Sequence, residues 1–195
     1  MTIRQYIKSE YSIKTLIDLL NSEAGGEFKQ MAVIFLKKAI VKHFEGLSPS
    51  DAVILRNALL KIYFDSKLRP VKSVLANVIS QIADYYFSKE QVWPELLMEI
   101  SNRSEGNITT EELRDAIVLL RNLLDGNEDD LEPSFPQIIA FLQKVMTSTD
   151  PEIVMESIKC LCYIVGSLDD EEAVKKYGNL LQTILSVPTS TNSVF

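Results

Sequence analysis

The fold is decided by the nine residues FKQMAVIFL (28–36), because variants of this stretch recur along the chain. The related stretches are VKSVLANVI (71–79), LRDAIVLLR (113–121) and VMESIKCLC (154–162). Their second positions are Lys29, Lys72, Arg114 and Met155. Successive second positions are 43, 42 and 41 residues apart. A regular period of this length indicates that one structural unit is repeated along the chain.

Apolar residues recur at helical spacing within these units, and no stretch shows the sustained alternation of a strand. One predicted stripe consists of Phe28, Met31, Ala32, Phe35, Leu36 and Ala39. A second consists of Val71, Val74, Leu75, Val78, Ile79 and Ile82. Pairs of helices repeating every 40 to 47 residues are typical of HEAT and armadillo proteins. We therefore predict an all-α chain that forms a right-handed α-α superhelix, a HEAT/armadillo-type solenoid, of about five helix pairs.

One helix pair cannot bury its apolar stripe alone, so neighbouring pairs are expected to stack. The predicted solenoid covers residues 1–187. Its approximate repeats are 1–24, 26–66, 69–103, 109–148 and 151–187, and a polar tail follows at 188–195. Lys29 lies only 25 residues after Arg4, so the first unit is either trimmed or a naturally short cap.

Proline and glycine mark the same boundaries as the hydrophobic period. Prolines at or just before a predicted helix start are Pro49, Pro70, Pro94, Pro133, Pro136 and Pro151. A missing N–H costs little at those positions. Gly46, Gly126 and Gly166 lie near predicted helix ends, where a left-handed cap favours glycine.

Composition and charge narrow the possible functions. The chain is 46% hydrophobic, which is enough for a continuous core, and its formal net charge is −7. A negative balance disfavours nucleic acid and favours a basic protein partner. No apolar stretch is long enough to cross a membrane, and the opening residues lack a secretory signal. We expect a soluble chain of the cytoplasm and nucleus.

The sequence carries no sign of catalysis, and we predict neither a cofactor nor a metal. Seven scattered glycines form no phosphate-binding loop. The single histidine, His43, is expected to be a partly exposed residue at a helix end. Cys160 and Cys162 lie in an apolar run and are predicted to be reduced, mostly buried core thiols, as in an intracellular protein. The chain is predicted not to be an enzyme.

Several stretches carry a resemblance to a known family. They are IRQYIKSEY (3–11), FKQMAVIFLKKAIVKHF (28–44), LRPVKSVLANVISQIADYYF (68–87), WPELLMEI (93–100) and LEPSFPQIIAFLQKVMTSTDPEIVMESIKCL (131–161). In this order they resemble the N-terminal region of the importin-β (karyopherin-β) nuclear transport receptors. Arg4 departs from the pattern, since Gln5 and Tyr6 follow it where the family has Ala-Glu. Full receptors also carry many more repeats, so the chain is interpreted as their N-terminal arm.

The resemblance implies that the second (B) helices of the first pairs bind the small GTPase Ran in its GTP form. Polar residues one turn apart on predicted B helices are Lys14 and Asp18, Asn57 and Lys61, and Glu95 and Glu99. By spacing alone these six residues also suit ordinary solvated faces. The resemblance further implies binding to FG nucleoporins, in grooves between neighbouring first (A) helices, and to basic cargo proteins.

The only tryptophan, Trp93, precedes Pro94 at a predicted helix start. We expect its indole to be a wedge between the two helices of the third pair, and Pro94 to begin the second of them. The other interpretation is a solvent-facing docking residue.

Two other functions remain open. The chain also suits a HEAT-repeat scaffold of a non-transport complex, or a short importin-like competitor of full receptors. The length of the natural chain beyond Phe195 distinguishes the competitor from an N-terminal fragment.

Overall fold

A computed structural model describes residues 12–89, 91, 93–105, 108–167, 171 and 175. All regular structure in this part of the chain is helical, which confirms the all-α prediction. The predicted first helix of repeat one and the tail at 188–195 lie outside the described residues. So does the predicted second helix of the last repeat, apart from residues 171 and 175.

The chain divides into two compact units, the first unit at residues 1–96 and the second unit at 97–195. The helices of the first unit are α1 (Ser12–Asn21), α2 (Gly26–His43), α3 (Pro49–Asp65) and α4 (Arg69–Phe87). A short 3₁₀ turn, Phe44–Gly46, follows α2. Helix α5 (Pro94–Asn102) begins in the first unit and ends in the second. The five repeat boundaries remain predictions.

Helices of the first unit pack as stacked pairs. The A helices α2 and α4 contact each other, the B helices α1 and α3 contact each other, and α1 packs on α2 as α3 packs on α4. Leu36, Leu59 and Leu75 are fully buried between them. This like-on-like stacking is the packing expected of a HEAT-type solenoid, and the prediction is confirmed within the unit.

The helices of the second unit are α6 (Thr110–Leu124), the one-turn helix α7 (Glu128–Leu131), α8 (Phe135–Val145) and α9 (Pro151–Gly166). The A helices α6 and α9 contact each other, and α8 packs on α9. Leu119, Phe135 and Leu161 are fully buried in this core.

Local sequence explains where the helices begin. The Ser48 hydroxyl accepts a hydrogen bond from the Asp51 backbone N–H at 3.1 Å and caps α3. At α6, Thr109 and Glu112 form a reciprocal capping box. The predicted prolines stand in the first turn of α3, α4, α8 and α9, begin α5, and lie in the 3₁₀ turn Glu132–Ser134. The proline prediction is confirmed.

All three predicted glycines lie near helix ends, but the left-handed conformation is found at only one of them. Gly126, after α6, has a φ of 91°, the left-handed conformation that favours glycine. Gly46 and Gly166 are not left-handed. A 3₁₀ turn continues α2 through Gly46, and Gly166 is still part of α9, so each glycine has a helical rather than a left-handed backbone.

The predicted stripe on α2 is partly wrong. Phe28 and Met31 are 63% and 50% exposed. The buried face consists of Ala32, Val33, Leu36, Ala39 and Ile40. Since α1 and α4 both contact α2, the buried face turns toward Val33 and Ile40 and leaves Phe28 and Met31 at its edge.

Candidate protein-binding site

Helices α1 and α3 lie side by side in the first unit and carry four of the six predicted partner-binding residues. Lys14 and Asp18 are exposed one turn apart on α1. Asn57 and Lys61 are exposed one turn apart on α3. We call these four residues, with Ile54, the α1–α3 face. Ile54 is 66% exposed and shares a face of α3 with Asn57 and Lys61, so the face combines charge with an apolar contact.

A cavity of about 720 Å³ opens beside this face. Lys14 and Asp18 line it, whereas Asn57 and Lys61 do not. Its apolar lining is Ile13, Ile17, Leu47, Ile54, Leu55 and Ala58. A concave, largely apolar site with a few polar groups is the usual shape of a binding pocket, and this volume lies in the common range.

Three further charged or titratable residues line the cavity and were not among the predicted site residues: Lys42, His43 and Asp51. Lys42 and His43 belong to the last turn of α2, where cations interact favourably with the helix dipole. Asp51 lies in the first turn of α3 and accepts a hydrogen bond from the Ser48 hydroxyl at 2.6 Å. His43 is half-exposed at a helix end, as predicted.

The remaining two predicted residues, Glu95 and Glu99, lie one turn apart on α5. Glu95 is half-buried, and its Oε2 atom accepts no hydrogen bond from the described part of the chain. Glu99 belongs to the second unit, where its carboxylate is 3.5 Å from Arg103. Arg103 also pairs with Glu112 at 3.2 Å. Neither glutamate lines the cavity.

Trp93 is buried rather than solvent-facing, as predicted, but its ring contacts α4 and α3, so the wedge between α4 and α5 stays a prediction. Only 3% of it is exposed, and its ring centroid is 6.5 Å from that of Tyr86 at the end of α4. The buried Arg56 of α3 adds a contact that was not foreseen, since its guanidinium lies 5.4 Å from the Trp93 ring and 4.6 Å from the Tyr86 ring. Such cation–π contacts compensate in part for burying the charge. Pro94 begins α5, as expected.

The cysteine prediction is half right. Cys160 is buried between α6 and α9, with its Sγ atom 4.0 Å from the Ile117 carbonyl oxygen. Burial raises the pKa of the Cys160 thiol. Cys162 is exposed, because two residues along a helix turn the side chain to another face. Both cysteines are free.

The described residues hold no group of three or more His, Cys, Asp and Glu side chains arranged to bind a metal ion. None of the described helices has the length and apolar character needed to cross a membrane.

Two family models match the chain. Residues 1–65 match the Importin-beta N-terminal domain, and residues 67–193 match a family described as IPO5-like, TPR repeats. No curated protein matches the chain. Tetratricopeptide repeats have a period of about 34 residues. The steps of 41 to 43 residues seen here fit the HEAT period better.

Proposed function

Because the chain belongs to the importin-β family, we propose that it binds Ran in its GTP form through the α1–α3 face as part of a nuclear import receptor. Family membership supports a role in nuclear transport rather than catalysis, since the receptors of this family are not enzymes.

The observation that supports the proposal is that four of the six predicted binding residues lie within the range that matches the Importin-beta N-terminal domain. The Importin-beta N-terminal domain matches residues 1–65, which include all of α1 and α3. In the family this domain is the region that binds Ran-GTP. Lys14, Asp18, Asn57 and Lys61 are exposed on these same two helices.

The chemistry of the face suits a charged protein surface. Lys14 and Lys61 offer cations to acidic residues of the partner, and Asp18 offers a carboxylate to a basic one. Ile54 supplies an apolar contact between them. Complementary charge of this kind contributes mainly to specificity and to the rate of association.

The expected dependence of Ran binding on GTP follows from the rigid packing of α1 and α3. The face is built on two packed helices, so its charges keep a fixed spacing. The switch loops of a GTPase are ordered by the γ-phosphate and released after hydrolysis. A fixed pattern of charges therefore selects the ordered, GTP-bound loops.

Binding to FG nucleoporins and to basic cargo belongs to the same proposal at the level of the family, without assigned residues. Movement between cytoplasm and nucleus is the behaviour of importin-β receptors, and we propose it for this chain on that ground.

The proposal is tested by measuring the affinity of the 195-residue chain for Ran loaded with GTP and with GDP. We expect binding to the GTP form and weakening of about tenfold or more when Lys14→Glu and Lys61→Glu are combined. Lys37→Glu with Lys38→Glu makes the same charge change on other helix faces and should leave the affinity unchanged. The pair Glu95→Lys with Glu99→Lys shows whether α5 contributes.

Absent binding, or equal binding of both nucleotide states, contradicts the proposal. A protein partner that binds without dependence on any nucleotide then favours the HEAT scaffold.

A further inference from the structure

A second open groove lies in the first unit, between the A helices α2 and α4. Its volume is about 470 Å³. The lining residues that matter are Ile34, Lys37, Lys38 and Val41 on α2, and Val74 and Asn77 on α4. We call it the α2–α4 groove.

The groove leaves large apolar side chains exposed to solvent, although such side chains are usually buried in folded proteins. Ile34 is 47% exposed and Val41 is 69% exposed. Val74, expected in the buried stripe of α4, is only half-buried and lines the opposite wall. Ile34 and Val41 lie two turns apart on the same side of α2, so the groove has an exposed apolar side chain at each end of this stretch.

Charge sets this groove apart from the rest of the chain. Lys37 and Lys38 lie between the two exposed apolar residues, and no described lining residue is acidic. Neither lysine forms an ion pair with a described residue. The groove is therefore a cationic site on a chain whose formal net charge is −7.

The walls of the groove are ordered before any partner arrives. They belong to helices of 18 and 19 residues that pack on each other. On α4, the Asn77 side-chain amide donates a hydrogen bond to the Ser73 carbonyl oxygen at 3.1 Å, which holds that side chain against the wall. A preformed site loses little conformational entropy on binding.

We propose that the α2–α4 groove binds an acidic segment of a partner protein. An apolar side chain of that segment fills the space between Ile34, Val41 and Val74. Its flanking carboxylates pair with Lys37 and Lys38. The volume suits a few side chains rather than a folded domain, so the occupant is a short segment.

Other occupants satisfy the groove less well. A neutral apolar peptide leaves both lysines without a partner, and a basic one is repelled by them. Nucleic acid and anionic membranes present many negative charges over a large area. The net charge of −7 on the chain repels such an extended surface more than it repels a short acidic segment that meets only the groove. This proposal does not depend on Ran binding, because it uses different residues.

The test uses the 195-residue chain and four short labelled peptides in fluorescence anisotropy. One peptide repeats Glu-Glu-Leu-Leu, its matched analogues carry Gln or Lys in place of Glu, and the fourth is a Phe-Gly repeat. We expect the Glu peptide to bind about tenfold or more tightly than the other three, and to weaken as salt is added.

Charge-reversal variants of the chain test the proposal more stringently than the wild-type peptide comparison. Lys37→Glu with Lys38→Glu should remove binding of the Glu peptide and create binding of the Lys peptide, a rescue that a misfolded chain cannot give. Val41→Ser should weaken the Glu peptide without changing its charge preference. Lys14→Glu with Lys61→Glu is the matched control and should have no effect.

Three outcomes overturn the proposal: the Phe-Gly or Gln peptide binds as tightly as the Glu peptide and displaces it, the charge reversal leaves the preference unchanged, or sedimentation shows self-association that Val41→Ser abolishes. The last result assigns the groove to a second copy of the chain.

Discussion

Two contacts between A helices, α2 with α4 in the first unit and α6 with α9 in the second, use different chemistry. On α6, Arg114 reaches Asp150 at 2.6 Å and Glu152 at 2.9 Å, both in the N-terminal region of α9. Two turns along, Arg121 reaches Glu156 at 2.7 Å. Opposite charges therefore face each other across the α6–α9 contact.

Across the α2–α4 contact, by comparison, Lys37 and Lys38 face uncharged Ser73 and Asn77, and a groove stays open. The same repeat thus gives an ion-paired contact, the α6–α9 seam, where charges on the two helices are complementary. Where they are not, it leaves a surface that a partner can neutralise.

The ion pairs of the α6–α9 seam are not all hydrogen bonds. The Nη2 group of Arg114 donates to Asp150 Oδ2. The Nε groups of Arg114 and Arg121 lie close to carboxylate oxygens, yet neither makes a hydrogen bond within the described part of the chain. These contacts are mainly electrostatic, so we expect them to be weaker than the Arg114–Asp150 bond.

The largest expected effect concerns the reactivity of the two thiols of α9, at the α6–α9 seam. Cys160 is buried there and Cys162 is exposed on the same helix. Since Cys160 reacts only when the structure opens, we expect it to be labelled about 10³-fold more slowly than Cys162. Mass spectrometry of the labelled peptides measures both rates. Cys162→Ser should remove the fast phase, and equal rates for the two thiols would show that the seam is open.

The next effect concerns the buried indole of Trp93 in the first unit. Trp93→Ala removes a buried indole from Tyr86 and Arg56, and we expect a loss of about 3–5 kcal/mol in the free energy of unfolding. Urea denaturation followed by circular dichroism at 222 nm measures it. Phe28→Ala, at a side chain that is 63% exposed, is the control and should change stability by less than about 0.5 kcal/mol. Similar losses in both variants would contradict the burial of Trp93.

How much the sequence predicts depends on whether the signal is local. Pro49 and Pro151 mark helix starts through their own backbone, and Leu36 lies on a stripe that any helix of this sequence would form. The local pattern could not predict whether Phe28 is buried, because α2 is apolar on several sides. The helices packed against α2 decide which of these sides is buried.

The cavity beside the α1–α3 face is harder still to predict. Lys42, His43 and Asp51 flank a turn in sequence, and only the position of α1 makes them part of one cavity with Lys14 and Asp18. The proline- and serine-containing stretch EGLSPSD (45–51) indicates a turn, but nothing in its spacing identifies the helix that faces it.

A smaller effect is the difference in coupling energy between the α6–α9 contact and the α2–α4 contact. In a double-mutant cycle, Arg121→Ala and Glu156→Ala should show a coupling of about 0.5–1 kcal/mol, because the pair is partly buried. The corresponding cycle of Lys38→Ala with Ser73→Ala across α2 and α4 should show a coupling near zero. Equal coupling in the two cycles would remove the difference between the seams.

The smallest effect is the response of the α9 start to acid. The pKa of Asp150 is lowered from its ordinary value of 3.8, first by the hydrogen bond from the Glu152 backbone N–H and then by Arg114. A lowered carboxyl pKa contributes stability above pH 3.8, and that stability is lost as the pH falls through the lower folded value. We expect Asp150→Asn to reduce stability at pH 7 and to flatten the loss below pH 4. An unchanged acid profile would show that Asp150 contributes nothing.

Chemical acetylation of lysines in the chain, with and without Ran-GTP, compares both surfaces in one sample. Lys14 and Lys61 report on the α1–α3 face, and Lys37 and Lys38 report on the α2–α4 groove. We expect Ran-GTP to protect Lys14 and Lys61 from acetylation and to leave Lys37 and Lys38 as reactive as in the free chain. Protection of Lys37 and Lys38 with no change at Lys14 and Lys61 would contradict the assignment of the Ran-binding surface.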